Sequence, residues 1–136
     1  MMRTETNTFS LESKQMSKSP EHDLQKQIVG YLRANGILTI GTDVMSGLMF
    51  FGNNQINRMR FINHHKRMGY TVGQPDLVLL LKDGETLLVE VKDGSKGHQS
   101  AEQKYFDAVS RTINHNYVVW RSIKDAVDFV SGYKKL

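Results

Sequence analysis

The strongest constraint in this chain is the stretch GQPDLVLLLKDGETLLVEVK, Gly73 to Lys92. Two apolar runs, 77–81 and 87–91, flank Lys82-Asp83-Gly84-Glu85, and Asp-Gly is a strong hairpin turn signal. Both runs are apolar at consecutive positions rather than alternating. The sequence therefore predicts a β-hairpin covered on both faces. Three charged residues, Asp76, Glu90 and Lys92, stand at the end away from the turn. Burying charge is costly unless the charges pair or bind a metal, which marks this end as a candidate site.

Glu90 and Lys92 lie two apart on a strand and project to one face. Whether Asp76 joins them depends on the turn. A two-residue Asp83-Gly84 turn sets Asp76 opposite Val91, on the wrong face. A three-residue loop, Lys82-Asp83-Gly84 with Gly84 left-handed, pairs Leu81 with Glu85 and sets Asp76 opposite Glu90. The second register, or a bulge of equal effect, is expected. Two carboxylates across a strand pair can share a hard divalent cation. A lysine beside them can hold a water or stabilise charge developing on a phosphate.

Pro75-Asp76 followed by Glu90-Val91-Lys92 resembles the pattern of the PD-(D/E)XK nucleases. Glu21-His22-Asp23-Leu24-Gln25 ahead of it is similar to the VRR-NUC branch of that superfamily. So are the Gly69-x-x-x-Gly73-x-Pro75-Asp76 approach and Ser100-x-x-Gln103 behind it. The resemblance spans roughly residues 20–130, and its four elements in order are more specific than any one of them. It implies a restriction-endonuclease-like α/β core, a mixed sheet with helices on both faces. It also implies a Mg²⁺- or Mn²⁺-dependent endonuclease, with the metal held by Asp76, Glu90 and the Val91 carbonyl. Glu21 is then a metal-supporting residue, direct or through water, and Gln103 sits near the metal or the scissile phosphate. Some relatives carry a tyrosine four residues after that glutamine; here Asp107 stands there, so that part of the pattern is absent.

With 136 residues and no cysteine, the chain fits one domain with neither disulfides nor thiolate metal sites. Residues 1–18 are polar and read as a flexible tail, with a short helix or dimer arm as the alternative; residues 19–136 form the domain. A net charge of +4 suits a nucleic-acid partner without proving one. The absence of a membrane-length apolar run and of a signal-peptide core makes an intracellular, cytoplasmic protein the expectation.

Taken in order, Ser19-Pro20 opens a helix with Leu24, Ile28, Tyr31 and Leu32 on one stripe and Gly36 as its stop. Glu21, in its first turn, also has a plain role in favouring the helix dipole. A short strand is expected at 37–40. Residues 41–54 stay open between strand, core plug and dimer surface. Residues 55–68 read as a helix with Ile56, Met59 and Ile62 on one side. It carries Arg58, Arg60, Lys66 and Arg67, either a solvated face or a phosphate-contacting one. Lys96 and His98, in the glycine-rich loop after Lys92, and Lys104 are further nucleic-acid candidates. Ser100 and Gln103 form a capping box, opening a helix with Phe106, Val109 and Ile113 inward. Residues 117–120 read as a strand, and Ser122 as the cap of a last helix.

Stand-alone VRR-NUC proteins resemble Holliday-junction resolvases and act as homodimers. The resemblance therefore implies a structure-selective, homodimeric DNA nuclease of the phage-encoded type acting on branched or four-way DNA. A flap or general nicking nuclease is the near alternative. A non-catalytic DNA-binding subunit of a larger restriction or repair complex, and a bland α/β interaction domain, are the readings from other classes.

Overall fold

The computed structural model describes residues 19–95 and 97–135; the tail at 1–18 and Lys96 lie outside the described residues. The elements are α1 (Pro20–Ala34), β1 (Leu38–Gly41), a 3₁₀ helix (Met45–Phe51), α2 (Gln55–Arg67), β2 (Leu77–Leu80), β3 (Thr86–Val91), α3 (Ala101–Thr112), β4 (Asn116–Trp120) and α4 (Ile123–Lys134). Four strands form one mixed sheet in the order β1-β2-β3-β4, with only β3–β4 parallel. The parallel pair needs a crossover, and α3 supplies it.

The hairpin takes the register that three loop residues dictate. Leu77 pairs with Val89 and Leu80 with Thr86, and the Leu81 amide donates to the Glu85 carbonyl at 2.8 Å. Gly84 is left-handed at φ 72°, and Asp83 joins it at φ 60°, a conformation aspartate tolerates better than most residues. Continuing that register by one step sets Asp76 across from Glu90.

One sheet face builds the core. Leu77, Leu79, Leu87, Val89, Val91 and Trp120 meet Ile28 and Leu32 of α1 and Ala126 and Val130 of α4. The α1 stripe is as expected, and Ser19 caps it by accepting from the His22 amide. Ser122 holds the N-cap position of α4, but its side chain makes no capping bond; Asp125 accepts the Arg121 amide at 2.7 Å instead.

Two expectations are corrected, for the hairpin and for α3. The hairpin is not covered on both faces along its whole width. On the opposite face α3 packs on β4, while Leu38, at 61 % exposure, Ile40 and Leu80 remain open. The inward stripe of α3 is not inward throughout: Phe106 is half-buried against Tyr117, but Val109 and Ile113 are exposed. The stripe of α2 is likewise not core, since Ile56 and Met59 are exposed and no residue of the helix is buried.

Residues 45–51 turn out to be neither strand nor core plug. The 3₁₀ helix packs on α2 through Phe51 and Phe61, whose rings lie 5.5 Å apart. Phe50 points outward at 84 % exposure.

Candidate active site

Asp76 precedes β2, and its placement is enforced from several sides. The Thr42 amide donates to the Asp76 carbonyl at 2.9 Å, and the Thr42 hydroxyl donates to the Pro75 carbonyl. The Gln74 amide donates to the Thr42 carbonyl at 2.8 Å, and its oxygen accepts from the Thr71 amide. Gly73, at φ 86°, lets the backbone of α3 approach. A Cβ there would sit 2.4 Å from the carbonyl carbon and oxygen of Glu102. Glycine is required here both by conformation and by space.

The Asp76 carboxylate accepts the Val91 amide proton at 2.7 Å. Burial pushes its pKa up to about 6, against the lowering effect of that hydrogen bond; Glu21 and Glu90 push the same way, and Lys92 opposes them. Three neighbouring charges therefore act on the Asp76 carboxylate.

Glu90 is fully buried. Its Oε1 accepts from the Tyr117 hydroxyl at 3.2 Å, and its Oε2 is buried with no hydrogen-bond partner. Burial raises its pKa, while the nearby Gln99 amide, Lys92 and Tyr117 favour the charged form and Asp107 disfavours it. The same Gln99 amide group also donates to Asp107 at 3.4 Å. Burial and the adjacent Glu90 also raise the Tyr117 phenol, which keeps it a donor.

Lys92 is 8 % exposed. The loop after it closes over its stem, for a Cβ at Gly97 would lie 3.0 Å from Lys92 Cβ. Arg121 secures that loop by donating to the carbonyls of Gly94 and Gly97 at 2.9 and 2.6 Å.

Gln103 makes the expected capping box with Ser100: its Oε1 accepts from the Ser100 amide at 2.8 Å. It also lines a cleft of about 190 Å³ with Thr42, Asp43, Tyr70 and Asp76. Glu21, half-buried in the first turn of α1, acts on Asp76 electrostatically. Among the described residues, no three His, Cys, Asp or Glu side chains converge tightly enough to hold an ion by themselves.

The proposed DNA-contacting residues divide. Arg60, Lys66 and Arg67 on α2, His98 in the loop and Lys104 on α3 are exposed. Arg58 has a structural task instead: its guanidinium donates to the carbonyls of Leu48 and Gly52, each at 3.1 Å, tying the 3₁₀ helix to α2.

The orphaned Oε2, the adjacent Asp76 and the buried lysine fit a hard divalent cation, whose ligands are oxygens and whose charge offsets the burial of carboxylates. Thr42, Gln74 and Tyr117 support the candidate site and were not singled out in the sequence, although Gln74 lies within the Gly73-x-Pro75-Asp76 approach; Arg121, which follows the last strand as in the resembling family, joins them.

A mixed sheet with helices on both faces and paired carboxylates beside a lysine at its strand ends defines a restriction-endonuclease-like α/β core. Two solved structures carry the same fold. One, described as a VRR_NUC domain, superposes with a TM-score of 0.57 over 83 % of this chain and 96 % of its own, at 21 % identity. The other, a VRR_NUC domain protein, gives 0.62 over 89 % and 93 %, at 16 % identity. At these identities the likeness establishes the VRR-NUC fold. No family model and no curated protein sequence matches the chain.

Proposed function

We propose that this protein is a metal-dependent, structure-selective DNA endonuclease acting as a homodimer, with four-way or otherwise branched DNA as substrate. The observation that carries the reading is the fully buried Glu90, with Oε2 left without a partner beside Asp76 and Lys92. A charge so placed has a large desolvation cost that only a cation or a proton offsets.

Asp76, Glu90 and the Val91 carbonyl are the residues to hold Mg²⁺ or Mn²⁺, with Glu21 acting through water. When bound, such an ion lowers the pKa of a water and offsets charge on the phosphate under attack. Lys92, held rigid by its buried stem, orients the attacking water or stabilises the developing phosphate charge. The Gln103 amide nitrogen, its oxygen being committed to Ser100, is the end available to substrate in the cleft. Arg60, Lys66, Arg67, His98 and Lys104 supply exposed donors to backbone phosphates. Such contacts fix position without reading sequence.

The dimer finds support in the exposed apolar residues Leu38, Ile40 and Leu80 of the sheet and Val109 and Ile113 of α3, since exposed apolar surface suits an interface. Two sites related by a two-fold axis match the symmetry of a four-way junction. Among the described residues, no helix is long and apolar enough to cross a membrane.

The test offers a four-way junction, a 5′ flap and plain duplex to the protein with Mg²⁺ or Mn²⁺, with Glu90→Ala as control. Paired symmetric cuts in the junction, lost in the variant, are expected. Equal cutting of all three substrates overturns the structure selectivity. Binding of the junction without cutting overturns the nuclease reading in favour of a DNA-binding subunit.

A further inference from the structure

We propose that Tyr117 is a positioning residue of the metal site, engaging Glu90 Oε1 so that Oε2 is the oxygen presented to the cation. This rests on the metal reading of Asp76 and Glu90 given above.

Tyr117 sits on β4 opposite Leu88 of β3, and Val119 sits opposite Glu90. Tyr117 and Glu90 are therefore diagonal neighbours on one sheet face, within reach of a long side chain. The hydroxyl reaches Oε1 at 3.2 Å, and both residues are buried, Glu90 completely. A carboxylate has two oxygens and about four acceptor positions. With Oε1 engaged and the side chain enclosed, rotation of the carboxyl group breaks its hydrogen bond to Tyr117. The tyrosine thereby selects which oxygen stays open.

The tyrosine is itself held. Arg111 donates to the Tyr117 carbonyl at 2.6 Å and, through Nε, to Asp107 at 2.6 Å. Asp107 accepts from Gln99 at 3.4 Å. The Tyr117 ring packs against Phe106, their centroids 6.4 Å apart. Loop, α3 and β4 are thus joined around one hydroxyl. Ring packing alone would account for a phenylalanine; the hydroxyl is explained by what it touches.

A buried tyrosine that merely satisfies its own hydroxyl would affect stability and leave metal affinity alone. The experiment separates the two. Mn²⁺ binding to the full chain, without DNA, is titrated by the electron paramagnetic resonance of the free ion for wild type, Tyr117→Phe and Glu90→Gln. The melting temperature of each metal-free protein is recorded in parallel. Tyr117→Phe is expected to bind Mn²⁺ roughly tenfold more weakly, in the range seen when an outer-sphere partner of a ligand is removed. Its cleavage rate at saturating Mn²⁺ is expected to recover to within severalfold of wild type.

Wild-type affinity in Tyr117→Phe, with binding lost in Glu90→Gln, overturns the role of Tyr117 alone. Absence of Mn²⁺ binding by wild type, or its full retention in Glu90→Gln, overturns the metal reading beneath it. If Tyr117→Phe fails to fold, the wild-type chain labelled at tyrosine Cζ is titrated with Mg²⁺, its resonances assigned through Phe variants of the other four tyrosines. A Tyr117 Cζ shift that tracks Mg²⁺ occupancy is expected, and an unmoved resonance at saturation overturns the proposal.

Discussion

The carboxylate of Asp76 accepts the backbone amide proton of Val91 at 2.7 Å. The side chain of the residue just before β2 begins thus closes the hydrogen-bonding edge at the end of β3. The same oxygen pair is a candidate metal ligand. Backbone order at the end of β3 and the geometry of the site are consequently tied to one residue.

That tie gives a pH dependence with a definite sign. The Asp76 pKa is raised to about 6 in the folded chain, above the ordinary aspartate value of 3.8. Between those values the folded state binds the extra proton, so metal-free stability is lower above pH 6 and rises as pH falls toward 4. The melting temperature of the metal-free protein is expected to rise between pH 7 and pH 5, with the rise reduced in Asp76→Asn. Mn²⁺ affinity is expected to fall over the same interval, as the proton competes for the carboxylate.

Glu90→Gln keeps an acceptor for the Tyr117 hydroxyl and removes a buried charge. Differential scanning calorimetry of the metal-free protein is expected to show equal or greater stability than wild type, by up to about 2 kcal/mol. Cleavage is expected to fall at least a thousandfold, on the order of 4 kcal/mol of transition-state stabilisation.

Gly73→Ala places a methyl group 2.4 Å from the Glu102 carbonyl at a backbone angle of φ 86°. The expected cost is roughly 2 kcal/mol or more in urea unfolding. Activity is expected to drop further than that stability loss accounts for, because Asp76 and Gln103 are displaced relative to each other.

The basic residues of α2 are expected to separate in DNA-binding titrations. Arg60→Ala, Lys66→Ala and Arg67→Ala each lower the salt dependence of affinity by about one unit of slope if they meet phosphates. Arg58→Ala leaves the slope unchanged and destabilises the fold by about 1 kcal/mol, through loss of its bonds to Leu48 and Gly52.

Replacing Ile40 and Leu80 together with glutamate puts charge on the open sheet face without touching the core face. Sedimentation velocity is expected to show a monomer where wild type sediments as a dimer. A wild-type monomer, or a dimer unaffected by the substitutions, moves the interface elsewhere.

The hairpin, its register and the capping box were legible because each is local: Asp83-Gly84 sets the loop, and Ser100 and Gln103 sit at capping spacing. The supports of the site were not. Thr42 reaches Pro75 across 33 residues, Tyr117 reaches Glu90 across 27, and Arg121 reaches Gly97 across 24. No periodicity announces such pairings. Whether the apolar stripe of α2 is covered was not legible for a different reason. Helical spacing shows that residues share a face, and only tertiary packing decides whether that face is buried, as Ile56 and Met59 demonstrate.

The loop at Lys82-Asp83-Gly84 lies at the opposite end of the sheet from Asp76, yet its length governs the chemistry. Because side chains alternate along a strand, losing one loop residue and letting the pairing slip would turn Asp76 away from Glu90 and roll Leu77 and Leu79 out of the core together. Its side chains are exposed. What inheritance must conserve there is a count of residues and two left-handed backbone angles rather than any buried contact, so a spot on the surface is among the least permissive for insertion or deletion.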